Sequence, residues 1–145
     1  MEPKFEHEPK SQFTFPDLKY EMGEIERTAK TFAPDKFQEF MRDFIVEATK
    51  TKLVDLSEDV WSKLENTDSF DITEGDWDTV NYHASAEEVN RDWKSKREAM
   101  EAGKEIHAPI ILKIGDIYHK VAGNTRLMVA RALGISPKVL IVEMK

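Results

Sequence analysis

The last third of the sequence restricts the fold more than any other part, because it alternates short apolar runs with one stretch of helical spacing. Apolar residues dominate 109–114 and 117–122, on either side of a Gly-Asp turn, and again 139–144. Between the second and third runs, residues 125–133 follow a helical period and end at a glycine. Short apolar runs bounded by turn residues are typical of strands. This order predicts an α+β domain, with α/β-like alternation, built on a small mixed sheet.

The first 85 residues are predicted to be an extension in front of this domain. Residues 1–18 carry three prolines in a polar stretch, which indicates a flexible arm. Residues 19–85 are expected to be mainly helical, because apolar side chains repeat at helical spacing over 34–52. We expect this extension and the domain over 86–145 to form one compact unit spanning 19–145.

Three local signals refine the outline of the middle of the chain. Ser57 precedes two acids and is a predicted N-cap of a short helix. Six carboxylates crowd residues 65–84, which we interpret as a long, solvated acidic loop, with a hard-cation site as the alternative. Ser85 and Glu88 match a capping box, which predicts a helix over 85–102.

Charge is unevenly distributed along the 145 residues, whose net charge is −7. Residues 1–93 contain 11 basic and 23 acidic residues, a balance of −12, whereas residues 94–145 contain 10 and 5, a balance of +5. The acidic majority argues against a large footprint on duplex DNA, while the basic last third suits a phosphate-bearing ligand. The alternative is a solvated acidic face beside a basic one.

Cysteine is absent, and no apolar run approaches the roughly 20 residues that a membrane-spanning helix needs. The first observation excludes disulfides, thiolate zinc sites and cysteine nucleophiles, and it fits a cytoplasmic location. The second argues against a membrane partner. The amino-terminal residues also lack the apolar stretch of a signal peptide.

The junction between the second predicted strand and the helix carries the clearest chemical signal. Gly123 allows a sharp turn and a close approach of the backbone to a ligand. The amide groups of Asn124, Thr125 and Arg126 fall at the helix start, where free N–H donors and the helix dipole favour an anion. Arg126 adds a guanidinium that grips phosphate oxygens in pairs. The alternative is that Gly123 only makes a turn and Arg126 only pairs with an acid.

A wider pattern surrounds this junction. The sequence reads Gly-Asp-x-Tyr-x-x-x-Ala-Gly-x-x-Arg-Leu over 115–127, then Ala-x-x-Leu-Gly and a closing apolar run. Over about 86–145 the chain resembles the amino-terminal domain of ParB and the wider ParB/sulfiredoxin-like superfamily. The resemblance implies a nucleotide site at the Gly-x-x-Arg corner, because the superfamily includes CTP-hydrolysing ParB clamps, ATP-using sulfiredoxins and free-serine kinases.

The resemblance implies binding of ATP or another nucleoside triphosphate with Mg²⁺, and phosphoryl transfer or nucleotide hydrolysis. The expected nucleotide-binding residues are Gly123, Asn124, Thr125, Arg126, Pro109, Ile110 and Lys120. The candidate catalytic residues are Arg126, His119, Glu105 and Asp116. A histidine near phosphates can act as a base or a charged donor, and Glu105 precedes the first strand as a candidate base. Asp116 and the carboxylates of 65–78 are candidates to help hold the metal. For each of these side chains, ordinary solvent exposure is the alternative.

Departures from the superfamily pattern argue against two of the activities that the superfamily includes. Sulfinic-acid reduction is excluded because no cysteine follows the glycine. Thr125 stands where ParB carries a second arginine, and Lys145 follows the closing strand without a helix-turn-helix, so a DNA-sliding clamp is not expected.

Two other function classes stay open. One is a nuclease or nucleic-acid-modifying enzyme of the same fold, acting on single strands. The other is a non-catalytic, acidic interaction or inhibitor protein, phage-encoded by resemblance, that uses the arm and the 65–78 segment. A small molecule, a protein or a single-stranded nucleic acid is therefore an expected partner besides the nucleotide.

Overall fold

The structure, a computed structural model, describes residues 12–85 and 92–145. Within them the helices are α1 (Met22–Phe32), α2 (Phe37–Lys50), α3 (Glu58–Lys63), α4 (Trp77–Ser85), α5 (Trp93–Glu101) and α6 (Asn124–Leu133). The strands are β1 (Gln12–Thr14), β2 (Val54–Asp55), β3 (Leu64–Glu65), β4 (Glu105–His107), β5 (Ile110–Ile114), β6 (Ile117–Ala122) and β7 (Lys138–Met144). Single 3₁₀ turns cover Pro34–Lys36 and Ser69–Asp71. The predicted α+β class is confirmed.

A five-stranded mixed sheet of order β2-β7-β5-β6-β3 forms the centre of the molecule. Strands β5 and β6 are an antiparallel hairpin around Gly115, and β7 returns parallel to β5 after α6. The predicted strand, strand, helix and strand of the last third are therefore confirmed. The edge strands β2 and β3 come from the extension, so the extension completes the sheet instead of standing apart from it.

Hydrophobic packing covers both faces of this sheet, because side chains alternate along each strand. On β5, Ile111 points to a core that includes Met100, Leu127 and Met128, on the side of α5 and α6. Its neighbour Ile110 points to a second core built with α1 and α2. The sheet thus holds α6 on one side and α1 on the other.

Two predictions about the extension are wrong in part. The arm predicted over 1–18 is ordered from residue 12, because β1 pairs in parallel with β4 and Pro16 is buried; residues 1–11 lie outside the described part. The acidic loop predicted over 65–84 contains β3, a 3₁₀ turn and helix α4. The many carboxylates of this segment suggested a solvated loop, but the segment includes a helix in which Val80 and Ala84 are buried.

The helix predicted over 85–102 also begins later than expected. Ser85 is the last residue of α4, so it does not act as the N-cap of the following helix. Asp92 takes that role for α5, accepting a hydrogen bond from the Ser95 amide at 3.0 Å. Glu88 lies outside the described residues. The caps predicted at Ser57 and Gly134 are confirmed.

Among the helices of the described residues, none is sufficiently long and apolar to cross a membrane.

Candidate functional site

Gly123 fixes the corner between β6 and α6. Its φ of +104° lies in the region that favours glycine, and an added Cβ would lie 2.7 Å from Pro109 Cβ and 2.9 Å from Pro109 Cα. A side chain is therefore excluded both by backbone conformation and by space. Pro109 is buried against this corner at the start of β5, so it supports the turn.

Helix α6 begins directly at the corner. Its first intrahelical hydrogen bond joins the Leu127 amide to the Gly123 carbonyl at 2.9 Å. The amides of Asn124, Thr125 and Arg126 come before that bond and have no helical acceptor. In the described part of the chain no side chain caps this end. The start of α6 therefore presents N–H donors and the positive end of the helix dipole.

A cavity of about 490 Å³ opens at this helix start. Four parts of the chain line it: the residues at the start of α1, helix α5, strand β4, and the end of β6 with the corner. The polar and aromatic residues of the lining include Tyr20, Glu21, Glu24, Lys96, Glu105, His107, Lys120, Thr125 and Arg126. The structure therefore brings together the predicted Glu105, Lys120 and corner residues, and it adds residues from α1 and α5 that sequence reasoning missed.

Arg126 is held by two acceptors on one side of the cavity. Its Nη1 donates to the His107 carbonyl at 2.6 Å, and its Nη2 donates to Glu21 Oε2 at 2.9 Å. The Arg126 and Glu21 side chains are only 12% and 9% exposed. A guanidinium has five N–H donors, so these two bonds leave three that meet no acceptor within residues 12–85 and 92–145. Arg126 is both a structural ion-pair partner and a cation facing the cavity.

The side chain of Asn124, a residue that also lines the cavity, is hydrogen-bonded to the 65–71 segment. Its Oδ1 accepts hydrogen bonds from Thr67 Oγ1 at 2.9 Å and from the Asp68 amide at 2.8 Å. Its Nδ2 donates to Asp68 Oδ2 at 3.0 Å. The side chain is thus committed to the 65–71 segment, and only the Asn124 amide remains for an anion. These bonds also place the acidic segment against the corner, a contact that the sequence did not predict.

His119 lies on β6 but is not among the cavity-lining residues. Its ring packs edge-on against Phe32 at 5.0 Å, and Asn66 Nδ2 lies 3.5 Å from His119 Nε2. Burial lowers the pKa of His119, an effect that nearby Glu65 partly opposes and Lys120 reinforces. The neutral ring is therefore favoured by burial, and its surroundings give it a packing role instead of the predicted contact with phosphates.

Three more predicted residues are not among those that line the cavity: Asp116, Ile110 and Pro109. Asp116 is exposed in the β5–β6 turn, at the other end of β6 from Gly123, a separation of about 20 Å for six strand residues. Ile110 is fully buried in the core beside α1 and α2, so its side chain stabilises the sheet. Asp116 therefore cannot help Arg126 at the same ligand.

A protein-held metal centre is not formed by the described side chains. Within residues 12–85 and 92–145, no three His, Asp or Glu side chains are arranged to hold a metal ion. Of the carboxylates predicted to help hold a metal, Asp68 of the 65–78 segment contacts the corner, whereas Asp116 lies at the opposite end of β6.

The chain matches no protein-family model, no curated protein and no solved structure at a significant level. The resemblance to the ParB/sulfiredoxin-like superfamily therefore stays a prediction from the sequence pattern, and the function has to be argued from the cavity.

Proposed function

We propose that this protein binds a nucleoside triphosphate, ATP in the first instance, with its phosphates at the start of α6. The observation that carries the proposal is the cavity of about 490 Å³ at an uncapped helix N-terminus. Its volume lies within the roughly 300–1,000 Å³ of small-molecule sites. The amides of Thr125 and Arg126 suit phosphate oxygens, as helix starts generally do.

Cationic side chains support the same ligand class. Lys96 from α5, Lys120 from β6 and Arg126 from α6 all line the cavity. Of the cavity carboxylates, Glu21 is paired with Arg126 and Glu24 lies 3.2 Å from Arg27. These pairings reduce the repulsion that the acidic side chains exert on a phosphate. The remaining donors of Arg126 and the two lysines then neutralise ligand charge.

Phosphoryl transfer or nucleotide hydrolysis is the reaction we propose at this site. A hydroxyl group or water attacks the terminal phosphorus, the bond to the bridging oxygen breaks, and a nucleoside diphosphate leaves. Glu105, an exposed carboxylate that lines the cavity, accepts the proton of the attacking group. No step is assigned to Mg²⁺, because no three His, Asp or Glu side chains of the described residues are arranged to hold it.

A second candidate is a protein-binding role without turnover. Phe70 and Tyr82 expose 70% and 69% of their surface on the acidic 65–85 segment. Large exposed aromatic side chains of this kind are common at protein interfaces. Purification of the protein with one stoichiometric partner and no bound nucleotide would favour this candidate.

The proposal is tested by the thermal unfolding midpoint with ATP, CTP, GTP or UTP, each with and without Mg²⁺. A ligand that binds only the folded state raises the midpoint. Lys96→Ala is the test variant and Lys94→Ala is its matched control, since both lie on α5 but only Lys96 lines the cavity. We expect a nucleotide-dependent shift that Lys96→Ala reduces and Lys94→Ala retains. No shift with any nucleotide would contradict the proposal.

A further inference from the structure

One strongly exposed aromatic side chain lines the cavity just before the start of α1. Tyr20 lines the cavity and is 81% exposed. Within the described residues its ring makes no aromatic contact and its hydroxyl no hydrogen bond. Folding therefore gains little from this ring, although a tyrosine offers a large flat surface with a polar tip.

The backbone that carries Tyr20 is nevertheless held in place. The Tyr20 amide donates to Asp17 Oδ1 at 3.1 Å, and the Glu21 amide donates to the Asp17 carbonyl at 3.1 Å. The next side chain along, Glu21, is fixed to Arg126 at 2.9 Å. The exposed Tyr20 ring is thus carried by a turn that the ion pair between Glu21 and Arg126 connects to the start of α6.

We infer that Tyr20 is a specificity-determining residue, which stacks on the base of a nucleotide whose phosphates lie at the start of α6. This inference rests on the proposed function and goes further, because it assigns the recognition of the base to one side chain. Every base has a π-face, so stacking separates a nucleotide from a phosphate ligand that has no base, and a purine offers the larger ring area for it. The ligand class is accordingly a purine nucleotide, and inorganic polyphosphate is a weaker ligand.

Calorimetric titration of ATP and of inorganic tripolyphosphate tests the inference. The variants are Tyr20→Ala and Tyr20→Phe, with Tyr82→Ala as the control for loss of an exposed tyrosine elsewhere. Base stacking on an aromatic side chain predicts an ATP affinity about 5-fold to 100-fold lower in Tyr20→Ala, with tripolyphosphate affinity kept within about two-fold. Tyr20→Phe and Tyr82→Ala should bind ATP like the wild type.

Each other outcome overturns the inference in a recognisable way. An equal loss of ATP and tripolyphosphate affinity in Tyr20→Ala would mean that the residue shapes the turn instead of reading the base. Wild-type binding of tripolyphosphate as tight as that of ATP would remove the role of the base while leaving the phosphate site intact. Binding of neither ligand by the wild type would overturn the proposed function and this inference with it.

Discussion

The two ends of strand β6 each hold a glycine at positive φ, in contrasting surroundings. Gly115, at φ +57°, forms the hairpin turn, and a Cβ added there would meet no atom within 4 Å. Gly123, at φ +104°, is pressed against Pro109 and begins the helix that lines the cavity. Gly115 is therefore needed only for the backbone conformation of the turn between β5 and β6. Gly123 is required by its close approach to Pro109, at a corner that lines the cavity.

The largest expected effect comes from replacing Gly123 by alanine, and Gly115→Ala is the matched comparison. Gly123→Ala adds a clash with Pro109 to the strain of positive φ, which predicts a loss of about 2–5 kcal/mol in the free energy of unfolding. Gly115→Ala suffers only the conformational strain, about 1–2 kcal/mol. Chemical denaturation measures both. Equal losses of stability in the two variants would contradict an added steric clash between position 123 and Pro109.

The second largest difference is expected between the ion pairs near the two ends of β6, which should contribute unequally to stability. Arg126→Met leaves the Glu21 carboxylate without its partner in a nearly buried position, and we expect about 2–4 kcal/mol of destabilisation. At the turn end, Lys113 and Glu143 lie 3.8 Å apart with side chains 31% and 68% exposed, so Lys113→Met should cost about 1 kcal/mol or less.

A double-variant cycle sharpens that second prediction. Glu21→Gln combined with Arg126→Met removes both charges. The double variant should therefore lose less free energy of unfolding than the two single variants lose together. Strict additivity in the measured unfolding free energies would contradict the ion pair between α1 and α6.

Asn124→Ala tests the hydrogen bonds between the corner and the 65–71 segment. The substitution leaves the Asp68 amide and the Thr67 hydroxyl without their acceptor, so we expect a loss of about 1–3 kcal/mol. Asp116→Ala, in the exposed turn at the other end of β6, is the control and should be nearly neutral. A neutral Asn124→Ala in the same denaturation experiment would mean that the 65–71 segment does not depend on this contact.

The smallest expected effect concerns His119, in the middle of β6. Because burial lowers its pKa in the folded state, the unfolded chain binds the proton more readily, and stability falls as pH drops below about 6.5. His119→Gln should therefore flatten the pH dependence between pH 7.5 and 5.5, by at most about 1.4 kcal/mol per pH unit. Denaturation at both pH values checks this; an unchanged slope would mean that His119 titrates alike in both states.

The fold of the last third was predictable because local signals determine it. Apolar periodicity set β5, β6, α6 and β7 to within about one residue, and the glycines at 115, 123 and 134 marked where those elements end. Helix α4 was missed because its carboxylates suggested a loop, whereas burial of Val80 and Ala84 against the core decides its structure.

The corner of the candidate site was predictable in its backbone but not in its side-chain partners. Glu21 meets Arg126 across 105 sequence positions, and Asn124 meets Asp68 across 56. No local motif marks Glu21, Asp68 or Tyr20, because each reaches the corner only through tertiary packing. His119 and Asp116 were selected for nearness in sequence, yet strand geometry directs them away from the cavity.

Binding of ATP to the wild type and to Thr125→Asp is the most direct test of the central claim. Thr125 lines the cavity in the first turn of α6. An acidic side chain at this position interacts favourably with the helix dipole, but it repels a phosphate. The account predicts that calorimetry detects ATP binding to the wild type and at least about ten-fold weaker binding to Thr125→Asp, with no fall in its unfolding midpoint. Thr125→Asn, the uncharged control, should retain most of the affinity. No ATP binding by the wild type, or equal affinity in Thr125→Asp, would contradict a phosphate site at the start of α6.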